Sequence, residues 1–359
     1  MKALPPLYYL ILILFISCTS DDGGDIPHSE TLYFPPVQSE DWQTMSIEEA
    51  GWNTDKVSEL KTFLEIQNTK AFIILKNGKI VIEEYFNDFT KNDSHFWFSA
   101  GKTLTAFTIG IANEEGLIDL NSSSALYLQS GWSSLTPTEE SLITVKHHLT
   151  MTTGLDYNIT NTFCTDPECL TYLNPSGSFW YYHNAPYTLL SEMISSVYNA
   201  GFDTYFDEKI KSKTGMDGSW LTLGYNKIYY STARSMARFG LLNLNKGVWG
   251  DVDVLQNQVY FNEMTTPSQN LNPSYGYLWW LNGQTSFRLP GSEIQYDGKL
   301  IPNAPDDLIA GLGKDDQKLY VIPSENLVIV RLGDAADQSL LGPSGFDNEL
   351  WAYINALTN

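Results

Sequence analysis

Two strand–turn–strand segments near opposite ends of the chain limit the folds open to it. AFIILKNGKIVIEEYF (71–86) places Asn77-Gly78 between two apolar, β-branched runs, the strongest short-range hairpin signal. QKLYVIPSENLVIVRLG (317–333) repeats the pattern around Pro323–Asn326. Between them the text is mainly helical and loop-rich, and a last helical stretch, GFDNELWAYINAL, follows. Single hairpins are marginal on their own, so the early and late strands are expected to share one antiparallel sheet. The predicted class is α+β: an antiparallel sheet flanked by helices, plus a mainly helical lobe. One domain is expected over 45–359, with an α/β lobe at 45–117 and 226–359 and the helical lobe at 118–225. A site between the lobes follows from that arrangement.

The N-terminus reads as an export signal. In MKALPPLYYLILILFISC a basic Lys2 precedes an apolar run from Leu7 to Ile16, too short for a permanent membrane span. FISC resembles a bacterial lipobox, which implies cleavage after residue 17 and lipid attachment at Cys18. Residues 18–44 are polar, carry Pro and Gly and lack a sustained period; they are expected to be a tether. The expected location is exported and lipid-anchored at a bacterial outer membrane. With a net charge of -21, the chain lacks the positive field that nucleic-acid binding needs. Cys164 and Cys169, in FCTDPECL, are expected to form a disulfide outside the cytoplasm. His147 and His148 are adjacent and there is no H-E-x-x-H or C-x-x-C, so no metal or cofactor is expected.

The chemistry is concentrated in FSAGKTLTAF (98–107). Ser99 and Lys102 stand at i and i+3 and face the same way at the start of an apolar helix. A serine hydroxyl needs a base to become nucleophilic. A lysine desolvated at a buried helix start has its ammonium form disfavoured and can be that base. Ser58-Glu59-Leu60-Lys61 has the same spacing, but Ser58 points away from the apolar face of an amphipathic helix and is a decoy. In WYYHNAPY, Tyr182-His183-Asn184 supplies a phenol and an amide. A phenol beside a lysine cation can be lowered in pKa and relay a proton. The amide can hold the lysine and meet a substrate carbonyl. His183 is expected to point elsewhere, and Arg234 and Arg238 to make structural pairs.

These segments, with LTMTTGL (149–155), STARSMARFGLLNLNKG (231–247) and YGYLWWLNG (275–283), resemble the penicillin-recognising serine hydrolases of the class C β-lactamase, DD-peptidase and esterase type. The likeness is nearest the aminohexanoate-oligomer hydrolase branch and spans 45–359. It implies a serine hydrolase with Ser99 as acylated nucleophile, Lys102 and Tyr182 as proton-transfer pair and Asn184 positioning the substrate. The substrate it implies is a small ester, amide or β-lactam-like molecule.

The family's third motif is Lys-Thr-Gly or His-x-Gly on a late strand. The literal Lys213-Thr214-Gly215 falls in helical text, with Gly215 as a helix cap. The positional match is Lys314-Asp315-Asp316, with Lys314 meeting substrate and the Gln317 N–H as second oxyanion donor. Asp316 stands where the family has glycine and is expected to crowd the cleft. The alternative function is therefore a catalytically impaired surface or periplasmic binding lipoprotein on the same scaffold. Oligomeric state is left open by the sequence.

Overall fold

The computed structural model describes Met1, residues 32–336 and residues 342–359. The chain divides into two units, Met1–Thr31 and Leu32–Asn359, and every element named below lies in the second. The expected signal peptide and the lipid attachment at Cys18 lie outside the described residues.

After helix α1 (Val57–Ile66) come strands β1 (Thr69–Lys76), β2 (Lys79–Tyr85) and β3 (Ser94–Phe96), then helix α2 (Lys102–Glu114). Helix α3 (Asn184–Val197) precedes strands β4 (Ser219–Leu223) and β5 (Asn226–Thr232) and helix α4 (Ala233–Leu244). Strands β6 (Trp280–Leu281), β7 (Ile309–Gly313), β8 (Gln317–Ile322) and β9 (Leu327–Gly333) lead to helix α5 (Gly345–Thr358).

The main sheet has the order β2-β1-β9-β8-β7-β6, antiparallel throughout. The two hairpins are joined by β1–β9 pairing, with Ile73 opposite Val330. Alternation along a strand sends successive side chains to opposite faces. Leu319 and Val328 therefore face α4, where both lie against Gly240. Tyr320 faces α5 and meets Trp351 edge-on at 5.8 Å. Helix α1 joins α5 on that side through Phe63, stacked on Tyr353 at 4.3 Å.

Two domain expectations need correction. Residues 32–44 are packed onto the body, so they are not tether. Arg238 donates to the carbonyls of Pro36 and Ser39, Trp42 Nε1 donates to Gly78 O at 2.7 Å, and Thr44 bridges to Ile80. The helical-lobe boundary at 225/226 falls inside the turn of the β4–β5 hairpin, which with β3 forms a three-stranded sheet. Polar, Pro-bearing text hid the first docking because its anchors are two side chains and backbone carbonyls. The three-stranded sheet was hidden for a different reason: β3, which joins it from far along the chain, is only three residues long and shows no alternation.

Gly240 sets the approach of α4 to the sheet. A Cβ there would stand 2.3 Å from Val328 Cγ1 and 2.9 Å from Leu319 Cδ1. Gly240→Val is expected to destabilise by about 1–3 kcal/mol through overpacking. The urea midpoint checks this, and an unchanged midpoint would contradict the packing.

Candidate active site

Trp97 and Phe98 turn the chain from β3 into α2. Trp97 is buried and its Nε1 donates to Ser231 Oγ at 2.8 Å. Phe98 has φ 46, a left-handed conformation that a bulky residue keeps only where its surroundings enforce it. Ser99 follows, in a 3₁₀ turn (Phe98–Gly101) that runs straight into α2. In a 3₁₀ turn residues i and i+3 eclipse, which places Lys102 over Ser99. Lys102 Nζ donates to Ser99 Oγ at 3.0 Å and to Asn184 Oδ1 at 2.9 Å.

Lys102 is only 3% exposed, and among the described residues no carboxylate is ion-paired with it. Burial brings its pKa down to about 7. The ring of Tyr187 lies 4.1 Å and that of Tyr182 5.0 Å from Nζ, within the range at which an aromatic face attracts an ammonium. Tyr187 was not singled out in the sequence, although it lies three residues after Asn184 on α3 and so shares its face.

Tyr182 shares a hydrogen bond with Ser99, but its pKa runs opposite to expectation. Burial holds the phenol well above its ordinary value, and the Ser99 contact only partly offsets this. The phenol sits in an aromatic shell, stacked with Trp280 at 5.8 Å and edge-on to Tyr275 at 6.2 Å. YGYLWWLNG therefore supports Tyr182 from behind. Its alternation is broken at Leu278, φ 60. His183 is buried and faces a small cavity on the far side, bounded by Tyr157 and Tyr181.

The third motif is where the sequence and the structure differ most. Lys314-Asp315-Asp316 forms the tip of the β7–β8 hairpin, with Asp315 at φ 57 and Asp316 at φ 60. The strand against the Ser99 turn is β7, four residues before Gln317. A Cβ at Gly311 would stand 3.2 Å from Thr103 Cγ2, and one at Gly313 2.3 Å from Trp97 O. Alternate glycines on one strand face the same way, and that spacing is the signal that could have marked them. Gln317 is buried, and its side chain donates to Asp315 O and Gly333 O and accepts from Gly333 N; it staples the hairpin.

Asp316 does not crowd the cleft. Its carboxylate turns into a buried network, accepting from Ser344 Oγ at 2.6 Å and Ala336 N at 3.0 Å, with Lys318 Nζ at 3.2 Å. Burial would raise its pKa, but Lys318 and these donors hold it below the ordinary carboxylate value. Lys314 alone of the three reaches the site.

A cavity of about 270 Å³ opens beside Ser99, lined at its base by Lys102 and Asn184, and at its walls by Phe98, Phe163, Tyr187 and Ile228, with Lys314 at its edge. A polar cavity of about 300 Å³ near Arg234 and Arg238 lacks such a group. There Arg234 pairs with Glu83 and Arg238 is spent on backbone carbonyls. The decoy Ser58 is exposed on α1, and Lys213-Thr214-Gly215 ends a helix with Gly215 at φ 70. Cys164 and Cys169 are joined as a disulfide. Among the described residues no cluster of His, Cys, Asp or Glu is arranged to hold a metal ion, and no helix is long and apolar enough to cross a membrane.

A serine at a buried turn, a neutralisable lysine on it and a β-strand laid against both define a serine-hydrolase type of site. Residues 67–336 match the Beta-lactamase family, and the chain belongs to that family. Solved structures share the fold. A Bacillus anthracis protein named as a candidate 6-aminohexanoate-dimer hydrolase is 21% identical, with 90% of this chain and 88% of that chain covered and a TM-score of 0.67. A penicillin binding protein from Bacillus halodurans is 18% identical, covering 83% and 99%, TM-score 0.60. EstA from Arthrobacter nitroguajacolicus is 13% identical, covering 84% and 95%, TM-score 0.61. No curated protein matches the chain.

The lowered pKa of Lys102 has a sign that can be tested. Between about pH 7 and 10.5 the unfolded chain binds a proton at Lys102 that the folded protein does not, so stability rises with pH across that window. Wild type is expected to gain about 1 kcal/mol per pH unit relative to Lys102→Met between pH 7.5 and 9.5. Chemical denaturation at several pH values checks this, and a flat difference would contradict the burial argument.

Proposed function

We propose that the protein hydrolyses small esters and amides through an acyl-enzyme on Ser99. The observation that carries this reading is the 3.0 Å bond from a buried Lys102, pKa about 7, to Ser99 Oγ. A neutral Lys102 takes the Ser99 proton as Oγ bonds to the substrate carbonyl carbon. The resulting oxyanion is met by the Ser99 N–H and by the backbone at Gly313–Lys314, in place of Gln317. Tyr182 stays a neutral phenol. It passes a proton to the departing alcohol or amine and recovers one from Lys102. Water then repeats the sequence on the acyl-enzyme, releasing the acid and restoring Ser99. Asn184 holds Lys102 in register through Oδ1 and leaves its NH₂ for substrate.

The structural neighbours include proteins named as an aminohexanoate-dimer hydrolase and a penicillin binding protein. The first of these names, the small cavity and the likeness to the aminohexanoate-oligomer branch favour short esters and amides; the second name, and β-lactamases among the other neighbours, are the reason a cephalosporin belongs in the test. The binding-protein alternative rested on Asp316 blocking the cleft, and it loses that support because the carboxylate is turned into the Lys318–Ser344 network. Export with lipid attachment at Cys18 belongs to the same proposal, and a lipid mass on the peptide starting at Cys18 would support it.

The test is a panel of p-nitrophenyl esters, anilides and a cephalosporin. Ser99→Ala is expected to lower kcat by at least about 10³-fold with the fold retained, and Ser58→Ala to change nothing. Equal effects of the two substitutions, or cephalosporin turnover without esterase activity, would overturn the reading.

A further inference from the structure

The cavity beside Ser99 has a wall that neither the family match nor the motifs assign. Phe163 is half-buried and lines it. It immediately precedes the short loop closed by the Cys164–Cys169 disulfide, and the adjoining Cys164 is itself buried. Just before it, Thr162 O accepts from Ala185 N at 3.1 Å, which ties the loop to the first turn of α3, next to Asn184. The opposite wall is the β4–β5 hairpin, through Leu223 and Ile228. The two walls are clamped together, because Tyr225 in the hairpin turn donates to the Asp166 carboxylate inside the disulfide loop. Phe98 and Tyr187 add apolar surface next to the nucleophile, and Asn226, Lys227 and Lys314 supply the polar part of the lining.

We infer that Phe163, positioned by the Cys164–Cys169 bridge, is a specificity-determining residue, which selects substrates carrying an unbranched aliphatic acyl chain next to the scissile carbonyl. The inference rests on the acyl-enzyme reading above and deepens it. An acyl carbon bonded to Ser99 Oγ has its chain at the mouth of this cavity. Each methylene moved from water onto these side chains favours the longer ester, and apolar pockets discriminate chain length by roughly tenfold or more. The disulfide has a defined part in this. Without it Phe163 stands on a segment held by the Thr162 and Asp166 contacts and by local turn hydrogen bonds such as those to Asn161.

The experiment compares kcat/KM for p-nitrophenyl pentanoate and acetate. In Phe163→Ala the pentanoate-to-acetate ratio is expected to fall about tenfold, mostly through KM for pentanoate, and Phe163→Leu is expected to restore most of it. The Cys164→Ser/Cys169→Ser double variant, and wild type treated with a phosphine reductant, are expected to move the ratio in the same direction. An unchanged ratio in Phe163→Ala overturns the inference. A fall in Phe163→Ala with none in the double variant overturns the part assigned to the bridge. If wild type hydrolyses neither ester, pentanamide binding followed by NMR decides the matter. Saturable binding weakened by Phe163→Ala supports the subsite although the hydrolase reading has failed. Absent or equal binding overturns it.

Discussion

Everything at this site depends on keeping one lysine out of water without giving it a carboxylate. Lys102 opens helix α2, whose residues from Lys102 to Ala112 are all buried. Among the described residues its polar partners are a serine hydroxyl and an amide oxygen, both neutral. A carboxylate in place of Asn184 would stabilise the ammonium and remove the base. The neutral amide leaves burial as the influence that lowers the pKa of Lys102. Around that constraint the fold is arranged in close layers. Gly311 and Gly313 let strand β7 lie against the Ser99 turn, and the Trp280–Tyr275 shell fixes Tyr182 from the other side.

The parts of this arrangement that could be read in the sequence are those written locally. Asn77-Gly78 and Pro323–Asn326 mark their hairpins because turn chemistry acts over a few residues. Ser99 and Lys102 are legible because three-residue spacing and the apolar run after it are adjacent in the chain. Tyr182 and Asn184 are legible for the same reason. What escaped is set by tertiary contact. The third motif shifts because two successive aspartates take left-handed conformations at the β7–β8 tip, which no propensity favours for that pair. Their role there comes largely from residues farther along the chain: Ser344 joins the nearby Lys318 in binding Asp316, and Arg331 donates to the carbonyls of Asp315 and Asp316.

The phenol of Tyr182 illustrates a competition decided by magnitude. A nearby cation lowers a phenol's pKa, whereas full burial raises it. Here burial is the larger influence, and the Ser99 hydrogen bond offsets only part of it. The two groups therefore divide the work, the amine accepting and the phenol donating, and each depends on the same dry environment. The same reasoning separates this cleft from the polar cavity near Arg238, whose charges are satisfied internally and leave no group for chemistry.

The most direct measurement is the pH dependence of Ser99 acylation by a small fluorophosphonate, followed by intact mass and peptide mapping. The account predicts a single adduct on Ser99, with a rate half-maximal near pH 7 and lost in Lys102→Met. No adduct on the folded protein, or a labelling rate still climbing toward the ordinary lysine pKa of about 10.4, would contradict it.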